Sequence, residues 1–153
     1  MKTLVLSMLI VASLVACKPE TPPSFDLVNA KKEIEAANKA IAEMFSKGDA
    51  AGIAAAYSKD GSAMFQYMPS VKGTENLTKA WADVLATTGG IELATLEVWG
   101  DQNYITEEGV FTLKSKDGTQ VEKGKYLVLW KKEDGKWKLH RDMSNSDLPL
   151  PKQ

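Results

Sequence analysis

The sequence predicts an α+β domain in which helices pack on one face of an antiparallel sheet. Two observations carry that prediction. Apolar residues recur every three or four positions through the first half of the chain and every second position after Gly89-Gly90. The period-two stretches are joined by Asp117-Gly118 and Asp134-Gly135, both strong hairpin signals. Helices first and a strand meander afterwards bury their apolar faces most simply as two layers.

Leu27, Ala30, Ile34, Ala37, Ile41, Met44 and Phe45 form one apolar stripe, so a first helix is expected. Ser24 is its expected N-cap, Asp26 favours its positive end, and Gly48 stops it. Asp49 caps a short second helix over residues 50–57, which Lys59-Asp60-Gly61 ends. A short strand is expected over 63–67, before Pro69. Thr74 caps a third helix that places Leu77, Trp81, Val84 and Leu85 on one face. Strands are then expected over 91–99, 104–114, 120–132 and 136–144. Gly109, inside the second of these, marks a bulge or bend. A long sheet bent around a helix leaves a concave hollow.

The first 17 residues carry a different kind of signal. Lys2 precedes an apolar run from Leu4 to Ala16, which is the layout of a secretory signal. The run is about 13 residues, short of the roughly 20 that span a bilayer. It closes on Leu14-Val15-Ala16-Cys17, which resembles the bacterial lipoprotein box. The expected organisation is a signal peptide over 1–16, a lipidated Cys17 with a proline-rich tether over 17–24, one domain over 25–149 and a tail over 150–153. Pro19, Pro22 and Pro23 suit a semi-rigid spacer. Lys18 follows the cysteine where an inner-membrane retention signal would have aspartate, so the expected address in a two-membrane cell is the outer membrane, facing the periplasm.

Composition narrows the function classes. Of 153 residues, 44% are hydrophobic and 25% charged, as in an ordinary globular protein. The formal net charge of −1 provides no basic surface, so nucleic acid is not an expected partner. One cysteine excludes an internal disulfide, and one histidine leaves almost no zinc ligand set. No Walker loop, dinucleotide fingerprint or nucleophile elbow occurs, so no cofactor is expected.

Several local motifs appear in a fixed order. They are Gly48-Asp49, Tyr57 with Asp60, Gly73, Gly100-Asp101 with Tyr104 and Gly109, and Gly124-Lys125-Tyr126. Asp134-Gly135-Lys136-Trp137-Lys138 and Arg141-Asp142-Met143-Ser144-Asn145-Ser146-Asp147 complete the set. This series resembles the nuclear transport factor 2-like superfamily, in its SnoaL-like and ketosteroid-isomerase-like branch, and most closely the family called domain of unknown function 4440. The resemblance implies a cone-shaped roll with a pocket between helices and sheet, often paired as a homodimer. It leaves the chemistry open, because the superfamily hosts isomerases, dehydratases, cyclases and binders. Steroid isomerases of this fold use an aspartate base and two oxyanion donors. Ungapped counting puts those three places at Phe65, at Ile41 and close to Leu127, all apolar, so that activity is not expected.

His140 and Asp142 stand two apart on one expected strand and therefore on one face, with Ser144 beyond. Trp137, Leu139 and Met143 occupy the other face, interrupted by Arg141. The resemblance favours the His140/Asp142/Ser144 face as the cavity wall. His140, oriented by Asp142, is then the candidate general base. Surface or structural roles for both remain the alternative. Tyr57, Met64, Trp81, Tyr126 and Trp130 are the candidate lining for a small apolar ligand, with core packing as the competing explanation. Pairing through Leu127 and Leu129 is the third expectation.

Overall fold

The computed structural model describes residues 25–149. The signal-like segment, Cys17, the proline-rich tether, Ser24 and the tail lie outside the described residues. Helix α1 (Leu27–Lys47) begins at Asp26, whose carboxylate accepts a hydrogen bond from the Asn29 amide at 2.9 Å. Asp26, not Ser24, is therefore the cap, because its carboxylate reaches an otherwise unpaired amide of the first turn. Ala30, Ile34, Asn38, Ile41 and Phe45 make the buried stripe, and Gly48 closes the helix with a left-handed cap. Asp49 caps α2 (Ala50–Ala55) through the Gly52 amide.

The next segment departs from expectation. Strand β1 (Tyr57–Met64) starts immediately after α2, and the stretch expected to be a turn at Lys59-Asp60-Gly61 lies inside it. A two-residue strand β2 (Val71–Lys72) pairs with β1. Gly73, rather than Thr74, is the N-cap of α3 (Thr74–Thr87), and no side chain caps that end. The Thr74 carbonyl instead accepts a bond from the Thr78 hydroxyl.

The four long strands run β3 (Gly90–Gly100), β4 (Tyr104–Lys114), β5 (Gln120–Glu133) and β6 (Lys136–Ser146), each antiparallel to the next. The β5–β6 hairpin turns on Asp134 and Gly135, at φ 49° and 75°. Two successive positive φ values are what a tight hairpin matched to strand twist requires. The six-stranded sheet has the order β2-β1-β6-β5-β4-β3. It is mixed rather than purely antiparallel, because β1 lies parallel to β6. The helices pack on its inner face, giving the cone that the resemblance implies.

Of the sheet's register shifts, two bear most on which side chains of β3 and β6 face inward. In β3, Leu96 is the extra residue, opposite the Gly109–Glu108 step of β4. The irregularity thus falls on the strand beside Gly109. In β6, Leu129 pairs with Arg141 while Trp130 pairs with Leu139, so His140 is the extra residue. One inserted residue reverses the alternation beyond it. Trp137 and Leu139 face inward before the bulge, and Asp142, Ser144 and Ser146 face inward after it. Met143 consequently lies exposed on the outer face, not on the packing face with Trp137 and Leu139. Among the described residues no helix is long and apolar enough to cross a membrane.

Candidate functional site

A cavity of about 210 Å³ opens between the helices and the sheet. Ile41 and Phe45 reach it from α1, Ile53 from α2, and Trp81 and Val84 from α3. The sheet contributes Leu93, Phe111, Tyr126, Val128 and Leu139, with Phe65 following β1. Phe45, Trp81 and Phe65 pack edge to face, their ring centroids 5.7 and 5.1 Å from that of Trp81. Glu122, Gln66, Ser144 and Ser146 are half-buried and make a polar stretch of the wall. There Ser146 donates from its hydroxyl to Glu122 at 2.7 Å and from its amide to Gln66 at 2.8 Å.

Asp142 is a second carboxyl of this wall, and the more deeply desolvated one. The Tyr57 hydroxyl donates to its Oδ2 at 2.5 Å. Burial raises the Asp142 pKa to about 6; the Tyr57 bond opposes that rise and the charge of Glu107 adds to it. Burial, and then the neighbouring Asp142 charge, push the Tyr57 hydroxyl well above its ordinary value. The pair is thus a firm hydroxyl donor on a carboxyl that titrates close to neutrality. The Trp81 indole N–H is buried without a hydrogen-bond partner beside the same cavity.

Behind the wall lies a second buried acid, Glu107. Its Oε1 accepts from Asn38 at 2.7 Å, Thr95 at 2.6 Å and Tyr126 at 2.8 Å, and its Oε2 accepts from Trp130 at 2.8 Å. Donors from α1, β3 and β5 converge on one side chain of β4, which ties the helix to the curved sheet. The ring of Tyr126 lies over Gly109, where a Cβ would stand 2.2 Å from Cζ. Glycine at that point lets the hydroxyl reach Glu107. Glu108 points to the outer face, as adjacency on a strand requires.

The structure separates the two residues expected to act together. His140 is the bulge residue and is not part of the cavity wall; only Asp142 and Ser144 of the expected trio are. His140 Nδ1 lies 3.0 Å from the Ser58 hydroxyl and 3.4 Å from Asp60 Oδ1. Both neighbours approach the same ring nitrogen, so they do not form a nucleophile–base–orienter relay, which needs one partner at each nitrogen. Burial and then the Arg141 charge lower the His140 pKa, with Asp60 opposing. Asp60 itself pairs with Lys131 at 3.0 Å.

Of the other expected lining residues, Trp81 and Tyr126 face the cavity, and Tyr57 reaches it through Asp142. Trp130 is fully buried on Glu107, outside the wall, and Met64 is half-buried in β1 opposite Met143. Leu127 is exposed on the outer face, while Tyr126 and Val128 on either side line the cavity. Leu127, close to which the ungapped count fell, thus lies on the outer face of β5 between two cavity residues, whereas Ile41 and Phe65 line the cavity. Glu107 was missed as a site residue, although its inward parity with Ile105 was readable from strand alternation. Among the described residues, no group of three His, Cys, Asp or Glu side chains is gathered to hold a metal ion.

Comparison with solved structures agrees with this architecture. A protein of unknown function with a cystatin-like fold from Nostoc punctiforme superimposes with a TM-score of 0.70 at 20% identity, covering 84% of this chain and 98% of that one. A ketosteroid isomerase-like protein from Erwinia carotovora atroseptica gives 0.65 at 24% identity, covering 77% and 96%. A nuclear transport factor 2-like protein of unknown function from Shewanella oneidensis gives 0.65 at 16% identity, covering 75% and 98%. No curated protein matches by sequence. The SnoaL-like domain family matches residues 38–140, from the Asn38 that holds Glu107 to the bulge at His140, and the chain belongs to that family.

Proposed function

We propose that this protein is an envelope lipoprotein whose cone cavity binds a small, largely apolar molecule, with Asp142 and Tyr57 as its polar anchor. The observation that carries the reading is the composition of the wall. Aromatic and aliphatic side chains line most of about 210 Å³, and Asp142, with the polar stretch of Glu122, Gln66, Ser144 and Ser146, interrupts them. Ligand sites characteristically combine an apolar concavity with a few convergent polar groups. Native mass spectrometry of the mature protein tests this. Wild type is expected to carry a retained molecule that Leu93→Trp, which fills the cavity from β3, expels. Absence of any retained molecule, together with no saturable binding of 2-phenylethanol, would overturn it.

A second reading draws on the same carboxyl. An acid with a pKa of about 6 inside an apolar cavity is poised for proton transfer near neutral pH, as an isomerase or dehydratase requires. In that reading Asp142 moves the proton and Tyr57 orients it, and His140 takes no part. The lipid anchor at Cys17 rests on the lipoprotein-box resemblance, and Cys17→Ser is expected to release the protein from membranes. Placement within domain of unknown function 4440 rests on the ordered motifs of the C-terminal strands. A homodimer through the outer sheet face draws support from Leu127 and Met143, exposed side by side in register.

A further inference from the structure

The charge of the cavity is one-sided. Asp142 and Glu122 belong to its wall and Glu107 lies behind it, whereas no lysine, arginine or histidine lines it among the described residues. Three cations near the wall in sequence are engaged elsewhere, and Lys123, beside Glu122, is exposed on the outer face of β5. Lys125 pairs with Asp147, Lys131 with Asp60 and Glu133, and Arg141 donates to the backbone carbonyls of Asp60 and His140. Glu107 meets four donors, all of them neutral side chains, so its negative charge is solvated by dipoles without a counter-ion. In a low-dielectric enclosure such charges act on one another and on a ligand with little screening. An anionic ligand would enter against Asp142, Glu122 and Glu107 together. A cationic one would meet the Asp142 carboxylate in a cavity that Phe45, Phe65 and Trp81 also line, and it is the face of such a ring, not its edge, that attracts positive charge.

We infer that the cavity selects organic cations, specifically an amine carrying an aromatic or branched aliphatic body, with its ammonium group beside Asp142 and its body among Phe45, Phe65 and Trp81. This rests on the ligand-binding reading and adds the sign of the ligand's charge. Burying an ammonium is costly unless a carboxylate pairs with it, and Asp142 is the carboxyl placed to do so. The groups facing Asp142 are Tyr57 from β1, Glu107 from β4 and Tyr126 from β5, none of them cationic. A bound cation therefore has no rival for the carboxylate.

The test compares three probes of one skeleton by calorimetry on the mature protein: 2-phenylethylammonium, neutral 2-phenylethanol and anionic 3-phenylpropanoate. The expected order is ammonium tighter than alcohol by at least about tenfold, with the carboxylate weakest. Ammonium affinity is expected to rise about tenfold from pH 5 to pH 7.5, as Asp142 loses its proton. Asp142→Asn is expected to lose most of the preference for ammonium over alcohol, and that pH dependence, while still binding the alcohol. Alcohol binding as tightly as ammonium, or carboxylate binding tightest, would overturn the inference and leave the ligand-binding reading standing. Failure of all three probes to bind would overturn the inference, and with no retained molecule in native mass spectrometry it would overturn both.

Discussion

Replacing Asp142 by Asn is expected to stabilise the domain, and to do so only where the carboxyl would be ionised. Burial raises the Asp142 pKa from 3.8 to about 6. At about 1.4 kcal/mol for each tenfold change in proton affinity, holding the ionised form in the fold costs about 3 kcal/mol. The direction follows from which state binds the proton more tightly. The folded protein does, so the stability Asp142 contributes is complete below about pH 4. It is lost as pH rises through about 6 and changes little beyond. Asparagine keeps the shape and an oxygen to accept from Tyr57, but it never ionises. Urea unfolding of both proteins from pH 4 to pH 8 is the assay. The stability difference between variant and wild type should grow by about 3 kcal/mol across that range. For a domain of this size that corresponds to roughly 10 °C in midpoint temperature. A difference independent of pH, or one that shrinks as pH rises, would refute the argument that Asp142 sits desolvated in the cavity wall.

Three further outcomes follow from the same geometry. Glu107→Gln should lower stability by about 2–4 kcal/mol in urea melts, because an amide nitrogen must face either Trp130 or the Asn38, Thr95 and Tyr126 donors; an unchanged midpoint would contradict the network. Gly109→Ala should cost about 1–3 kcal/mol and shift the ultraviolet absorption of Tyr126, since its ring must leave the space the new methyl occupies; wild-type stability and spectrum would show that the ring contact is not tight. His140→Gln should leave binding of 2-phenylethanol within about twofold of wild type, because the ring lies outside the cavity; loss of binding with the fold intact would return His140 to the site.

Legibility in the sequence tracked how local each interaction is. The stripe along α1, the Gly48 stop and the Asp134-Gly135 turn depend on neighbours a few positions away, and all three were readable. The long strands were readable for the same reason, through alternation and hairpin dipeptides. Strand β1 was misplaced because its parallel partner β6 lies at the far end of the chain, and nothing near Tyr57 announces that pairing. The anchor of the cavity suffers the same handicap: Tyr57 and Asp142 are 85 residues apart. Asn38 and Glu107 are separated by 69. Each looks like an ordinary polar residue until the fold brings its partner to it.

By itself, the sequence determined the α+β class and the hairpins, because helix and strand periodicity are properties of the local backbone. Only the tertiary structure decided which carboxyl and which ring face the cavity. The single inserted residue at His140 joins Leu139 to Asp142 on one face and turns the imidazole away. Arg141, interrupting an otherwise apolar row, was the local trace of that phase change. Its meaning depended on β5, whose Leu129 and Trp130 set the register on either side of the bulge.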